Sequence, residues 1–212
     1  MSEQETIYVV DDDEAVRSSI AMLAKSAGYL VEVFADAESF LNACATDCDG
    51  CLILDVSMPG MDGPALQQEL IKRSIQLPIL FLTAHGTIPT TVRAIKAGAM
   101  DFLLKPVDGA KLLQRVEEAL HENRRAKQKI SEQQEIMRRL NELTEREREI
   151  MKQVIAGYTC KEIARQLDIS HRTVEIHRAH VMEKTGAANL AELARMYWIA
   201  NPEDIEGQAR LS

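Results

Sequence analysis

Residues 51–63 read CLILDVSMPGMDG. An apolar run without polar interruption that stops on a carboxylate describes a strand buried on both faces, ending at a sheet edge where charge is tolerated. Similar short runs stand at residues 7–10, 30–34, 79–83 and 101–105. Amphipathic helical patterns lie between them, including residues 14–27, with Val16, Ile20, Leu23 and Ala24 on one face, and 36–45, with Phe40 and Leu41. Strand and helix in alternation specify an α/β doubly wound parallel sheet of five βα units. Gly28 and Gly98 occupy helix-ending positions, and Pro78 comes just before a strand, where a missing N–H matters little. Ligands of such sheets bind at the carboxyl ends of the strands. Those ends carry Asp11 and Asp12, Asp55, Thr83 and Lys105.

The chain has 212 residues, of which 46% are hydrophobic, enough for packed cores and too apolar for a disordered chain. No apolar run approaches the ~18 residues of a membrane span, and the first residues lack a secretory pattern. A cytoplasmic protein without membrane contact is expected. The net charge of −8 argues against nucleic acid as a partner until it is sorted by position. Residues 1–122 hold 19 acidic against 9 basic side chains, 123–143 hold 3 against 6, and 144–200 hold 8 against 9. The acid belongs to the N-terminal half. The expected organisation is a domain at 1–122, a helical linker at 123–143, a second domain at 144–200 and a tail at 201–212.

Cys44, Cys48 and Cys51 have a spacing that invites a metal site, but no fourth local ligand accompanies them. Cys51 also opens an apolar run, so reduced, structural thiols are expected.

Between Gly109 and Gly157 the chain has no Gly or Pro, which predicts a long helical stretch. Leu113, Val116, Leu120, Asn123, Lys127, Ile130, Gln134 and Met137 follow a three-four spacing, a seam with polar interruptions compatible with a conditional coiled coil or a solvated helix. Thr144 with Glu147 makes a capping box, and Thr159 and Ser170 open further helices. The short turn through Asp168, Ile169 and Ser170 between two capped helices predicts a helix-turn-helix in a four-helix, all-α domain. Val154, Ile155, Ile163, Ala164, Leu167, Ile169, Val174, Val181, Leu190 and Leu193 have the spacing of its core.

Carboxylates clustered at strand ends repel one another unless a cation joins them, and an all-oxygen site suits Mg²⁺. Asp55 could then attack phosphorus as a nucleophile, with the Lys105 ammonium offsetting charge and the Thr83 hydroxyl donating a hydrogen bond. The Lys105-Pro106 bond is a candidate for the cis form.

VVDDDE, LDVSMPGMDG, FLTAHG and KAGAMDFLLKP resemble the receiver domain of two-component response regulators over residues 6–121. The resemblance implies phosphotransfer from a histidine kinase to Asp55 with Mg²⁺ or Mn²⁺. It makes Asp12 a direct metal ligand, Asp11 a ligand through water, and the Ser57 backbone carbonyl a further ligand beside Asp55. Thr83 and Lys105 then bind the phosphoryl group, and Phe102 turns inward with Thr83 as a switch. Ordering those two side chains biases a surface at residues 89–121, opening at Pro89 and closing at His121, toward homodimer formation.

The segment from LTEREREIM onward resembles the DNA-binding domain of the LuxR/FixJ/NarL class. By that likeness Glu175, Ile176 and Ala179 meet base edges in a major groove, while Thr159, Lys161, Arg172, Arg178, His180 and Lys184 grip phosphate. His171 adds to the same polar face. The implied protein binds double-stranded promoter DNA and RNA polymerase, activates transcription, and is no enzyme beyond its own phosphorylation and dephosphorylation. Two departures stand out: Thr87 where FixJ-like receivers often carry an acid, and a longer linker. An aspartyl-phosphate phosphatase of the haloacid-dehalogenase type is the rival, but it needs an acid where this chain has Ser57. A receiver whose output is a protein interaction leaves the helix-turn-helix unexplained.

Overall fold

The structure is a computed structural model that describes residues 5–44, 48–84 and 98–204. The chain divides into two compact units, residues 1–126 and 127–212. In the first, the described strands are β1 (Thr6–Val10), β2 (Leu30–Phe34), β3 (Gly50–Asp55), β4 (Ile79–Thr83) and β5 (Asp101–Leu104). The helices are α1 (Glu14–Ser26), α2 (Ala37–Ala43), α3 (Gly63–Lys72) and the start of α4 (Gly109–Asn141). All strand pairs are parallel, in the order β2-β1-β3-β4-β5.

Successive side chains of a strand point to opposite faces, and this chain fills both. Tyr8, Val10, Leu52, Leu54, Ile79 and Phe81 join one core, covered by Phe40 and Leu41 of α2 and Leu66 and Leu70 of α3. Ile7, Val9, Cys51, Ile53, Leu80 and Leu82 join the other, covered by Ile20 and Ala24 of α1 and Leu112, Val116 and Leu120 of α4. That double covering explains why β3 is apolar throughout: all six of its residues are buried. Aspartate side chains begin these helices. Asp13 caps α1 through Ala15 and Val16, Asp36 caps α2, and Asp62 caps α3.

The cysteines depart from the sequence expectation. Cys44 and Cys48 are disulfide-bonded, their Cα atoms 5.9 Å apart, a span a disulfide reaches. Cys51 lies on the opposite sheet face as a free, buried thiol that burial pushes up to about 12. The sheet itself therefore separates Cys51 from the other two and rules out a shared metal site for the three.

The second unit contains the end of α4, α5 (Glu145–Ile155), α6 (Cys160–Gln166), α7 (His171–Thr185) and α8 (Leu190–Ala200). Both capping boxes form, Thr144 with Glu147 and Thr159 with Glu162. Ile150, Val154, Ile163, Ala164 and Val174 make one apolar cluster, and Met151, Val181, Leu193, Met196 and Tyr197 belong to another. Ile136, Leu140 and Leu143, which sequence assigns to the linker, are buried in that second cluster. Leu190, expected in the core, is 39% exposed at the first position of α8. Of the predicted seam, Val116, Leu120 and Asn123 are buried, whereas Lys127, Ile130, Gln134 and Met137 face outward. Among the described residues no helix is long and apolar enough to cross a membrane.

Candidate functional site

Sheet register assembles the acidic pocket. Val10 pairs with Leu54, so Asp11 and Asp55 emerge side by side from β1 and β3. Thr83 pairs with Leu104, which brings Lys105 to the same edge. Carboxylate oxygens of Asp11, Asp12 and Asp55 come within 4.8 Å of one another. Asp11, Asp55 and Thr83 are buried, and Asp12 is exposed.

The Lys105 ammonium lies 2.6 Å from Asp11 Oδ2 and 2.7 Å from Asp55 Oδ1. The Asp13 backbone N–H donates to Asp11 Oδ1 at 3.0 Å, and the Ser57 N–H donates to Asp55 Oδ2 at 3.1 Å. Arg17, which sequence reasoning passed over, donates to the Asp11 carbonyl at 2.6 Å. The Lys105-Pro106 bond is cis.

Burial pushes the Asp55 carboxyl above its ordinary range; hydrogen bonding and charge from Lys105 pull it back, and the neighbouring Asp11 charge pushes it up again. For Lys105, burial works against the charged form, but Asp11 and Asp55 outweigh it and raise its pKa. The oxygen-only donor set of Asp11, Asp12 and Asp55 fits a hard divalent cation.

Gly63 explains part of the surrounding sequence. A Cβ there would stand 2.3 Å from the Asp55 carbonyl oxygen, so only glycine lets the β3–α3 turn close beneath the carboxylate. Phe102 is half-buried and stacks on Phe81 with ring centroids 4.8 Å apart. Thr87 and Pro89 lie outside the described residues.

In the second unit α6 and α7 are joined through Leu167, Asp168, Ile169 and Ser170. Asp168 takes a positive φ of 51°, and the Ser170 side chain caps α7 through the Thr173 N–H. Val174 and Val181 turn inward, which leaves Arg172, Glu175, Ile176, Arg178, Ala179 and His180 exposed on α7. Thr159 and Lys161 are exposed on the preceding element. Several predicted contacts have partners within the protein. The Thr159 hydroxyl serves its capping box, Glu175 lies 3.6 Å from His171 Nδ1, and Arg178 reaches Cys160 Sγ at 3.8 Å.

Lys184 is engaged more firmly. It is half-buried, with its ammonium 2.7 Å from Glu147 Oε2. Burial raises the Glu147 pKa, but hydrogen bonds from Lys184 and Thr144 outweigh it and bring the carboxyl down to about 2. Sequence marked Glu147 as a helix cap; its burial by α7 carried no local signal.

A parallel five-stranded sheet with acids and a lysine at its carboxyl edge, joined to a helix-turn-helix unit, defines the two-component response regulators that regulate transcription. Comparison with known proteins agrees: residues 7–117 match the response regulator receiver domain, and residues 141–197 match the luxR family of bacterial regulatory proteins. The chain is 43% identical to the transcriptional regulatory protein FixJ of Bradyrhizobium diazoefficiens, covering 90% of this chain and 93% of that protein. It is 40% identical to the response regulator protein TmoT of Ectopseudomonas mendocina, covering 92% and 90% respectively. Among solved structures, the response regulator StyR superposes with a TM-score of 0.85 at 41% identity, covering 92% of this chain and 98% of that one. Full-length FixJ from B. japonicum superposes with a TM-score of 0.59 at 42% identity, over 93% and 98%. The chain belongs to the response regulators that couple a receiver domain to a LuxR-type DNA-binding domain.

Proposed function

We propose that Asp55 accepts a phosphoryl group from a histidine kinase and that the modification promotes binding of the second unit to promoter DNA. The observation that carries this reading is the single ammonium of Lys105 held between two carboxylates at adjoining strand ends. In the transfer an Asp55 carboxylate oxygen forms a bond to phosphorus while the bond from phosphorus to the donor's histidine nitrogen breaks. Lys105 offsets charge on the phosphoryl oxygens, and the Thr83 hydroxyl donates to one of them. Mg²⁺ or Mn²⁺, held by Asp11, Asp12, Asp55 and the Ser57 carbonyl, would supply further neutralisation of those oxygens. Beyond its own phosphorylation and dephosphorylation the chain catalyses nothing in this reading.

Output follows from ordering Thr83 and Phe102, which biases the surface at residues 89–121 toward a homodimer. Supporting this, β5 is an edge strand, and Leu104 on it is 65% exposed. Arg115 on α4 pairs with Asp101 at 3.0 Å and with Glu118 at 2.6 Å, a charged cluster beside that edge. Pairing two chains matters because each α7 face neutralises few phosphates alone. The dimer then presents two α7 helices to two half-sites, with Glu175, Ile176 and Ala179 at base edges. Arg172, Arg178, His180, Thr159, Lys161 and, after release from Glu147, Lys184 grip phosphate. The bound dimer engages RNA polymerase and activates transcription in the cytoplasm.

Incubation with Mg²⁺ and acetyl phosphate, followed by mass spectrometry, tests the acceptor. One added phosphoryl group is expected on Asp55. Undiminished modification of Asp55→Asn would overturn the assignment.

A further inference from the structure

The second unit contains a group of ligating side chains that the phosphorylation and DNA-binding roles do not use together. Glu147, in the first turn of α5, meets His177 and His180, one turn apart on α7. One carboxylate oxygen and one ring nitrogen from each histidine all lie within 4.8 Å of one another. Helical geometry sets this up: residues three apart share a face, and burial of Val174 and Val181 turns that face of α7 toward α5.

The two oxygens of Glu147 are used differently. Oε2 accepts from the Thr144 N–H at 2.8 Å and from Lys184 at 2.7 Å. Oε1 faces His180 Nδ1 at 3.7 Å, beyond hydrogen-bonding distance. His177 Nδ1 is buried and has no hydrogen-bond partner. A buried ring nitrogen without a partner is unfavourable, and a cation coordinated through that nitrogen would satisfy it.

We propose that Glu147, His177 and His180 form a binding site for a borderline-soft divalent cation of the Zn²⁺ class. Two imidazoles and one carboxylate are a three-ligand set Zn²⁺ accepts, leaving a fourth position for water. Mg²⁺ prefers oxygen donors and would be drawn instead to the Asp11, Asp12 and Asp55 pocket. The Lys184 ammonium opposes a second cation nearby, but it is neutralised by Glu147 through Oε2, while the cation approaches from Oε1. An occupied site ties α5 to α7 and gives the DNA-binding unit an input separate from Asp55. The metal site itself stands independently of the phosphorylation reading.

The test uses the full-length chain, stripped of transition metals and kept in excess Mg²⁺. Titration with Co²⁺ is expected to give visible ligand-field bands of a nitrogen-ligated ion at one equivalent, displaced by Zn²⁺. Zn²⁺ should raise the thermal transition reported by Trp198, the single tryptophan, which lies in the second unit. His180→Gln and His177→Gln should each weaken binding by at least about tenfold. His180 has an exposed side chain, so its replacement leaves the core intact even if His177→Gln fails to fold. Absence of nitrogen-ligand bands, or bands unchanged in His180→Gln, would overturn the proposal. So would a Co²⁺ signal of oxygen-only character that the histidine changes leave untouched.

Discussion

Lys105 Nζ lies 2.7 Å from Asp55 Oδ1 although β4 separates β3, which Asp55 ends, from β5, which Lys105 follows. The pairing exists because parallel register brings the ends of β3, β4 and β5 level, and it puts a fixed positive charge where phosphoryl oxygens would arrive. Replacing Lys105 by Met should therefore slow phosphorylation by acetyl phosphate by about 100-fold. Intact-mass time courses would read this, and a rate within a factor of about two of the parent would remove Lys105 from the mechanism.

Asp55 should cost the fold stability at neutral pH. Its folded pKa is raised, by burial first and by Asp11 in addition, against the pull of Lys105. A group raised in this way contributes stability below its unfolded pKa, near ~4, and loses it as pH rises through the folded value. Asp55→Asn should melt higher than the parent at neutral pH, with the gap closing toward acid. Circular-dichroism melts across that range, without divalent cations, would show it; a constant gap would contradict the assigned cause.

Glu147→Gln should destabilise the second unit by about 2 kcal/mol, because it leaves Lys184 without its buried partner. The sign with pH is opposite to that at Asp55. The folded carboxyl sits at about 2, so its contribution is full above the ordinary Glu value and fades as pH falls toward 2. Urea unfolding followed by Trp198 fluorescence isolates this unit, and a loss independent of pH would point to packing instead.

Leu140 lies on α4 beyond the first unit, yet it is buried with Met151, Val181 and Leu193. Leu140→Ala should cost about 3 kcal/mol in the transition that Trp198 reports. A fragment beginning at residue 144 should be correspondingly weaker than one beginning at residue 130. Equal stabilities would mean the turns of α4 before Asn141 are dispensable.

On α7, Arg178→Ala should weaken binding to all DNA sequences alike, whereas Ile176→Ala, at an exposed apolar side chain, should change base preference. Selection from randomised duplexes with each variant separates the two, and identical losses on every sequence would count against the orientation proposed for α7.

Much of the first unit was legible because its signals are local. An apolar run ending in Asp55 and the alternation of strand and helix each depend on neighbours within a few residues. The second unit was legible in its caps and in most core positions, for the same reason. Leu190 was misjudged because periodicity marks an apolar face without saying whether anything covers it. Residues 136–143 were read as linker because the helical pattern runs on from Gly109 without Gly or Pro, and no local signal marks where Ile136, Leu140 and Leu143 become covered.

By itself the sequence determined which residues end the strands, where helices begin, and that an acidic half is joined to a helix-turn-helix half. Tertiary structure alone decided which of those residues meet. Strand register set Asp11 beside Asp55 and Lys105, the sheet parted Cys51 from the bridged Cys44 and Cys48, and packing of α7 on α5 buried Glu147 and set it against Lys184 and two less buried histidines. The physical reason is that periodicity and capping act over a turn or a strand, whereas burial and ion pairing depend on which distant face closes over them. At Asp55 both levels were needed: local pattern supplied the carboxylate, and the fold supplied its ammonium.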